Sequence, residues 1–152
     1  MNKRDKLTDR TIPDSELKAS KEFIVRFSEV DPMNIVWHGS YALYFEDARE
    51  EFGRLYGLSY QLFFEHECPA PLVDLSFKFL KPLFHRQRAC VDIIYRNTPA
   101  AKIIFDYEIR LMEDDTLVTT GRSIQVFTDK NHNLMLTNPP FYAEWKTKYN
   151  LL

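Results

Sequence analysis

Hydrophobic and polar positions change rhythm along the chain, and each change predicts an element. In residues 22–28 (EFIVRFS), Phe23, Val25 and Phe27 alternate with Glu22, Ile24, Arg26 and Ser28, which predicts a half-buried first strand. From Gly39-Ser40 the period becomes helical. Tyr41, Tyr44, Phe45, Ala48, Phe52 and Leu55 recur at i, i+3, i+4, i+7 spacing, with Glu46, Asp47, Glu50, Glu51 and Arg54 opposite. Ser40 fits as N-cap and Gly57 as the stop, after about five turns. A shorter helix is predicted from the Ser59 cap to His66.

After Cys68 the period falls to two. Residues 70–80 set Val73, Leu75, Phe77 and Phe79 against Asp74, Ser76 and Lys78; residues 88–96 form the next strand; residues 101–112 and 116–128 pair across the turn Glu113-Asp114-Asp115. A terminal helix is predicted over residues 141–148, after Asn138-Pro139-Pro140. A meander of long antiparallel strands must cover its apolar face, and the 41–56 helix is the element long enough to do it. The prediction is an α+β hot-dog fold, a curved antiparallel sheet around one long central helix. A parallel sheet is excluded because helices do not alternate with the later strands.

The chain has 152 residues, which fits one domain at 21–152. Residues 1–20 are polar and predicted to form a mobile extension. Net charge is −2, so no basic field exists to draw in nucleic acid, and no apolar run is long enough to span a membrane. Cys68 and Cys90 have no metal-spaced neighbours and read as buried reduced thiols. The N-terminus lacks the apolar core of a signal peptide, which makes the cytoplasm the expected compartment.

Several chemistries lack their motif. There is no GxSxG elbow, HExxH, CxxC pair or glycine-rich phosphate loop, and the chain has only four glycines. What remains is residues 31–41 (DPMNIVWHGSY), where Pro32 pushes Asp31 out of the helical region and an apolar irregular loop leads into a helix start. A helix start offers unpaired N–H groups and partial positive charge, which polarise a carbonyl and hold an oxyanion. A carboxylate facing that carbonyl can attack it or activate water. Asp before Pro is equally a routine turn former.

The segment VDPMNIVWHGSYALYFEDARE closely resembles the active-site segment of hot-dog acyl-CoA thioesterases of the 4-hydroxybenzoyl-CoA thioesterase type. The resemblance covers residues 22–128, by motif in this segment and by layout in the later strands. It implies that Asp31 is the nucleophile or general base and that the backbone N–H of His38 polarises the thioester carbonyl. Gly39 supplies a second donor, and Trp37 and Tyr41 line the site or brace the loop. No cofactor or metal is implied. The partners implied are an acyl-CoA substrate and further copies of the chain, a homodimer or homotetramer with sites between protomers, where the 73–79 strand of one copy approaches Asp31 of the other. The nucleotide end of CoA is expected near Arg96 and Lys102, with Lys81, His85, Arg86 and Arg88 as the other cation cluster. The family usually has Gly where this chain has Asn34, which tolerates the same left-handed backbone.

Two competing readings keep the fold. A hydratase or dehydratase needs Asp and His in an Asn-Pro-hydrophobic-His setting, and His38 does not meet it. A non-catalytic acyl-CoA-binding protein needs an added partner domain that residues 1–20 are too short to provide. Glu46 and Glu50, one turn apart, read as a solvated helix face, and His66, His85 and His132 as surface or loop residues.

Overall fold

The computed structural model describes residues 17–152, so most of the proposed N-terminal extension lies outside the described residues. The chain runs β1 (Lys18–Ile24), α1 (Tyr41–Tyr56), α2 (Tyr60–Glu65), β2 (Leu72–Phe79), β3 (Arg88–Arg96), β4 (Lys102–Leu111), β5 (Leu117–Val126) and α3 (Pro140–Lys148). The five strands make one sheet in the order β1-β3-β4-β5-β2, antiparallel at every step. One long helix lies against it. This is the hot-dog arrangement.

The helix and strand periods meet in an aromatic core. Tyr41, Tyr44, Phe45, Ala48 and Phe52 of α1 are buried against Val91, Ile93 and Tyr95 of β3 and Ile103, Phe105, Tyr107 and Ile109 of β4. The Phe45 ring stacks on Tyr107 at 4.0 Å and on Phe77 at 4.9 Å. It rests on Gly121, where an added Cβ would stand 2.4 Å from the ring, so this strand position must stay bare. Gly57 ends α1 in the left-handed conformation (φ 72°), its N–H bonding the Gly53 carbonyl. Leu55, predicted to face the core, is exposed instead.

The two edges differ. β1 starts at Lys18, earlier than its alternation predicts, because Tyr56 reaches over from α1: its hydroxyl accepts from the Lys18 N–H and donates to the Lys18 carbonyl. β1 ends at Ile24, and a 3-10 turn, Phe27–Glu29, carries Phe27 out to 78% exposure rather than into the predicted buried face. On the other edge, β2 alternates as predicted, yet Val73, Leu75 and Phe79 are exposed and only Phe77 is half-buried. Its apolar face is only partly covered in a single chain, by contacts of Phe77 with Phe45 and of Phe79 with Tyr41.

Candidate active site

The segment between β1 and α1 folds as a tight hairpin, where the sequence led us to expect an irregular loop. The Trp37 N–H bonds the Glu29 carbonyl (2.9 Å), Val30 bridges Val36, and the Asp31 N–H bonds the Ile35 carbonyl (2.8 Å). The turn is closed by the Asn34 N–H on the Asp31 carbonyl at 2.9 Å. Asp31 and Pro32 occupy the first and second turn positions that their side chains favour, and Asn34 takes the left-handed conformation (φ 64°) that follows such a turn. Asn34 thus adopts the left-handed backbone expected at this position.

Asp31 is half-buried. Its Oδ1 accepts the Met33 N–H at 2.8 Å, which pins the carboxylate rotation. Its other oxygen makes no hydrogen bond among the described residues. The turn-former role and the chemical role thus coexist, because the turn uses one oxygen and leaves the second available.

Beyond Trp37 a single 3-10 turn, His38–Ser40, opens α1. Ser40 does not cap the helix as predicted: its backbone is already helical, and its hydroxyl donates to the Glu29 carbonyl at 3.1 Å. No side chain caps either the 3-10 turn or α1. The Ser40 N–H bonds the Trp37 carbonyl, whereas the N–H groups of His38 and Gly39 have no acceptor among the described residues. Two donors therefore stand open at the positive end of a 16-residue helix.

The flanking side chains have distinct places. Trp37 is 52% exposed, its ring 5.0 Å from that of His38, and both form a surface beside the helix start. Tyr41 is buried, with its ring 4.8 Å from Phe79, so it braces the helix start on β2. Burial raises the Tyr41 phenol pKa, partly offset by the Thr119 side chain and Leu83 backbone.

Arg96 and Lys102 are not brought to Asp31 within one chain. Ile24 pairs with Arg88, whereas Lys18 pairs with Ile94, so the hairpin leaves the sheet at the opposite end of β3 from Arg96. The eight-residue step from Arg88 to Arg96 is about 26 Å of strand. Lys102 is exposed; Arg96 donates to Asp106 at 2.7 Å, and Asp106 also accepts from Arg122 at 2.7 and 3.0 Å. Burial pushes the Asp106 carboxyl up, but bonds from Arg122 and Arg96 outweigh it and hold it below the usual range. The other cations lie at the hairpin end: His85, Arg86 and Arg88 line a pocket of about 540 Å³ with Gln87, Leu111, Met112 and Glu113. Glu46 is paired with Arg49 on the helix surface.

One residue the sequence reading passed over is Glu29, a carboxylate only 6% exposed. Its Oε1 accepts the Arg26 N–H at 2.8 Å and the Tyr44 hydroxyl at 3.1 Å. The signal available was a Glu three residues into a tight turn, reaching back to its first N–H; Arg26, in place of Ser or Thr, hid the pattern.

With an antiparallel sheet around one helix and an acid-bearing hairpin feeding an uncapped helix start, the class is that of hot-dog thioester hydrolases. The model of the thioesterase-like superfamily matches residues 25–146, and the chain belongs to that family. YneP of Bacillus subtilis, which carries the name acyl-CoA thioesterase, is 25% identical over 131 residues, 86% of this chain and 94% of that protein. The fold matches a DHNA-CoA thioesterase from Staphylococcus aureus (TM-score 0.78, 24% identity, 88% of this chain and 91% of that one). It also matches an aspartate-to-asparagine variant of 4-hydroxybenzoyl-CoA thioesterase solved with 4-hydroxybenzoyl-CoA (TM-score 0.73, 18% identity, 85% and 98%).

Proposed function

We propose that this chain hydrolyses acyl-CoA to a free carboxylic acid and CoA, with Asp31 as nucleophile or as the base that activates water. The open N–H groups of His38 and Gly39 hold the thioester oxygen as it gains charge. The observation that carries this reading is the pairing of a turn-pinned carboxylate, one oxygen free, with two unpaired donors at an uncapped helix start. Asp31 lies across the hairpin from Ile35 (2.8 Å, N–H to carbonyl), and Ile35 is three residues, at most about 10 Å of extended chain, before His38. A thioester suits so weak a nucleophile because a thiolate leaves readily.

The site is completed by a second copy of the chain. β2 presents an unpaired edge and an incompletely covered apolar face, the features of a strand that pairs with its own equivalent. Antiparallel β2–β2 pairing lays the Leu72 end of one strand beside the Phe79 end of the other, and Phe79 touches Tyr41 at the helix start. The same pairing turns the sheet end with Lys102 and Arg96 of the partner subunit toward Asp31, where these cations meet the CoA phosphates. No described helix is long and apolar enough to cross a membrane, and we place the reaction in the cytoplasm.

Thiol release from short-, medium-, long-chain and aromatic acyl-CoAs tests the activity and names the acyl class. Release from at least one class at enzymatic rates is expected. No release from any, by a folded protein that still binds acyl-CoA, replaces the hydrolase with a binding protein.

A further inference from the structure

Glu29 is the most buried acidic side chain of the segment that carries the site, and it bonds to both ends of that segment. Its backbone carbonyl is the acceptor for both the Trp37 N–H (2.9 Å) and the Ser40 hydroxyl (3.1 Å), the residues on either side of His38 and Gly39. Its carboxylate is the acceptor for the Tyr44 hydroxyl from the first turn of α1 and for the Arg26 N–H just past the end of β1. The Arg26 guanidinium approaches the second oxygen at 3.4 Å but is largely exposed. Three segments that must keep register, strand end, hairpin and helix start, therefore converge on one residue two positions before Asp31.

We infer that Glu29 is a positioning residue for the hydrolysis, holding the Asp31 hairpin against the start of α1 so that the carboxylate and the open N–H groups of His38 and Gly39 address one thioester. The inference rests on the reading of Asp31 and the helix start given above. The physical reason for a carboxylate here is the acceptor count. The Arg26 N–H and Tyr44 hydroxyl are both donors, and because Tyr44 is itself buried, removing their acceptor strands its hydroxyl away from water. The Tyr44 ring is stacked on Phe23 at 4.1 Å and so is not free to turn toward another partner. Ser40, freed from capping, serves the same clamp: its hydroxyl ties the helix start to Glu29 and leaves the neighbouring N–H groups open for substrate.

A merely structural residue lowers stability and the amount of active protein; a positioning residue lowers kcat through Asp31. The test is a double-mutant cycle on thiol release, with folding and oligomeric state checked for each variant. Glu29→Ala is expected to lower kcat about thirtyfold with KM nearly unchanged, since small misplacement of reacting groups costs up to about a hundredfold. Glu29→Gln keeps an acceptor oxygen and is expected to recover most of that loss. Tyr44→Phe, which deletes one contact, is expected to fall between the two.

In an Asp31→Asn background, Glu29→Ala should cost severalfold less than in the wild type, because the carboxylate it holds in register with the helix start is gone. Wild-type kcat in Glu29→Ala, or the same fractional loss in both backgrounds, overturns the positioning role and leaves the hydrolase reading intact. Full activity in Asp31→Asn alone overturns that reading and Glu29's role with it. Should Glu29→Ala not fold, Glu29→Gln and Tyr44→Phe are compared across the same two backgrounds, where equal losses overturn the inference.

Discussion

The indole of Trp37 packs against Gly39, two residues on, so closely that a Cβ at Gly39 would lie 2.2 Å from the ring. The glycine therefore has a steric task at the mouth of the site: it lets an aromatic side chain fold closely over the helix start. Gly39→Ala must displace either the indole or the backbone. We expect kcat/KM for acyl-CoA to fall about tenfold, with a modest loss of thermal stability, and Trp37→Ala in the same chain to restore part of the activity by removing the clash.

Deeper in the core, the contact between Gly121 and Phe45 makes the opposite kind of prediction, for stability alone. A methyl group at Gly121 meets the Phe45 ring at 2.4 Å and the Ser76 carbonyl at 2.5 Å. Overpacking of this kind costs about 1–3 kcal/mol. Urea unfolding of Gly121→Ala should show a midpoint shifted down by the equivalent amount at unchanged slope.

The buried phenols predict an alkaline limit. Burial raises Tyr95 to about 12, against the lowering hydrogen bond from Tyr142, and raises Tyr107 to about 12, against that from Ser123. Tyr44 and Tyr142 are also raised, first by burial, then by Glu29 and Tyr95 respectively. A raised folded-state pKa gives stability that is complete below the unfolded pKa near 10 and is lost as pH climbs through the folded value. Lys146, lowered by burial, acts with the opposite sign but is a single group. Chemical unfolding should therefore show stability falling between pH 10 and 12, by roughly 2 kcal/mol for each of Tyr95 and Tyr107. Tyr107→Phe should flatten the decline.

The β2 edge yields a prediction about assembly. Leu75 and Phe79 are apolar, exposed and on the face that the second copy is proposed to cover. Leu75→Arg puts an unpaired charge into that contact and should convert the oligomer to monomer in sedimentation velocity, with loss of thiol release. A monomer with full activity would show that one chain completes the site alone.

How far the sequence foretold all this follows the range of the forces involved. α1, the Gly57 stop and β3 were legible because each depends on local periodicity or on one residue's backbone preference, and the left-handed Asn34 because the family resemblance places Gly there. The two faces of β2 were not, since alternation reports that a strand has an apolar side but not whether its own chain covers it. Phe27 was expected on the buried face and is exposed, because a 3-10 turn interrupts the strand period there, and the burial of Glu29, which the sequence did not single out, depends on a hydrogen bond from the distant Tyr44. The Arg96–Asp106–Arg122 cluster needed the pairing of β3, β4 and β5, which no local pattern encodes.

The most direct measurement is thiol release by Asp31→Asn beside its affinity for the same acyl-CoA. The substitution keeps an oxygen to accept the Met33 N–H and removes only the charge. If Asp31 attacks or activates water, kcat falls about a hundredfold or more while acyl-CoA still binds to a folded protein of unchanged assembly. Wild-type turnover in that variant would contradict the assignment and move the chemistry away from the hairpin.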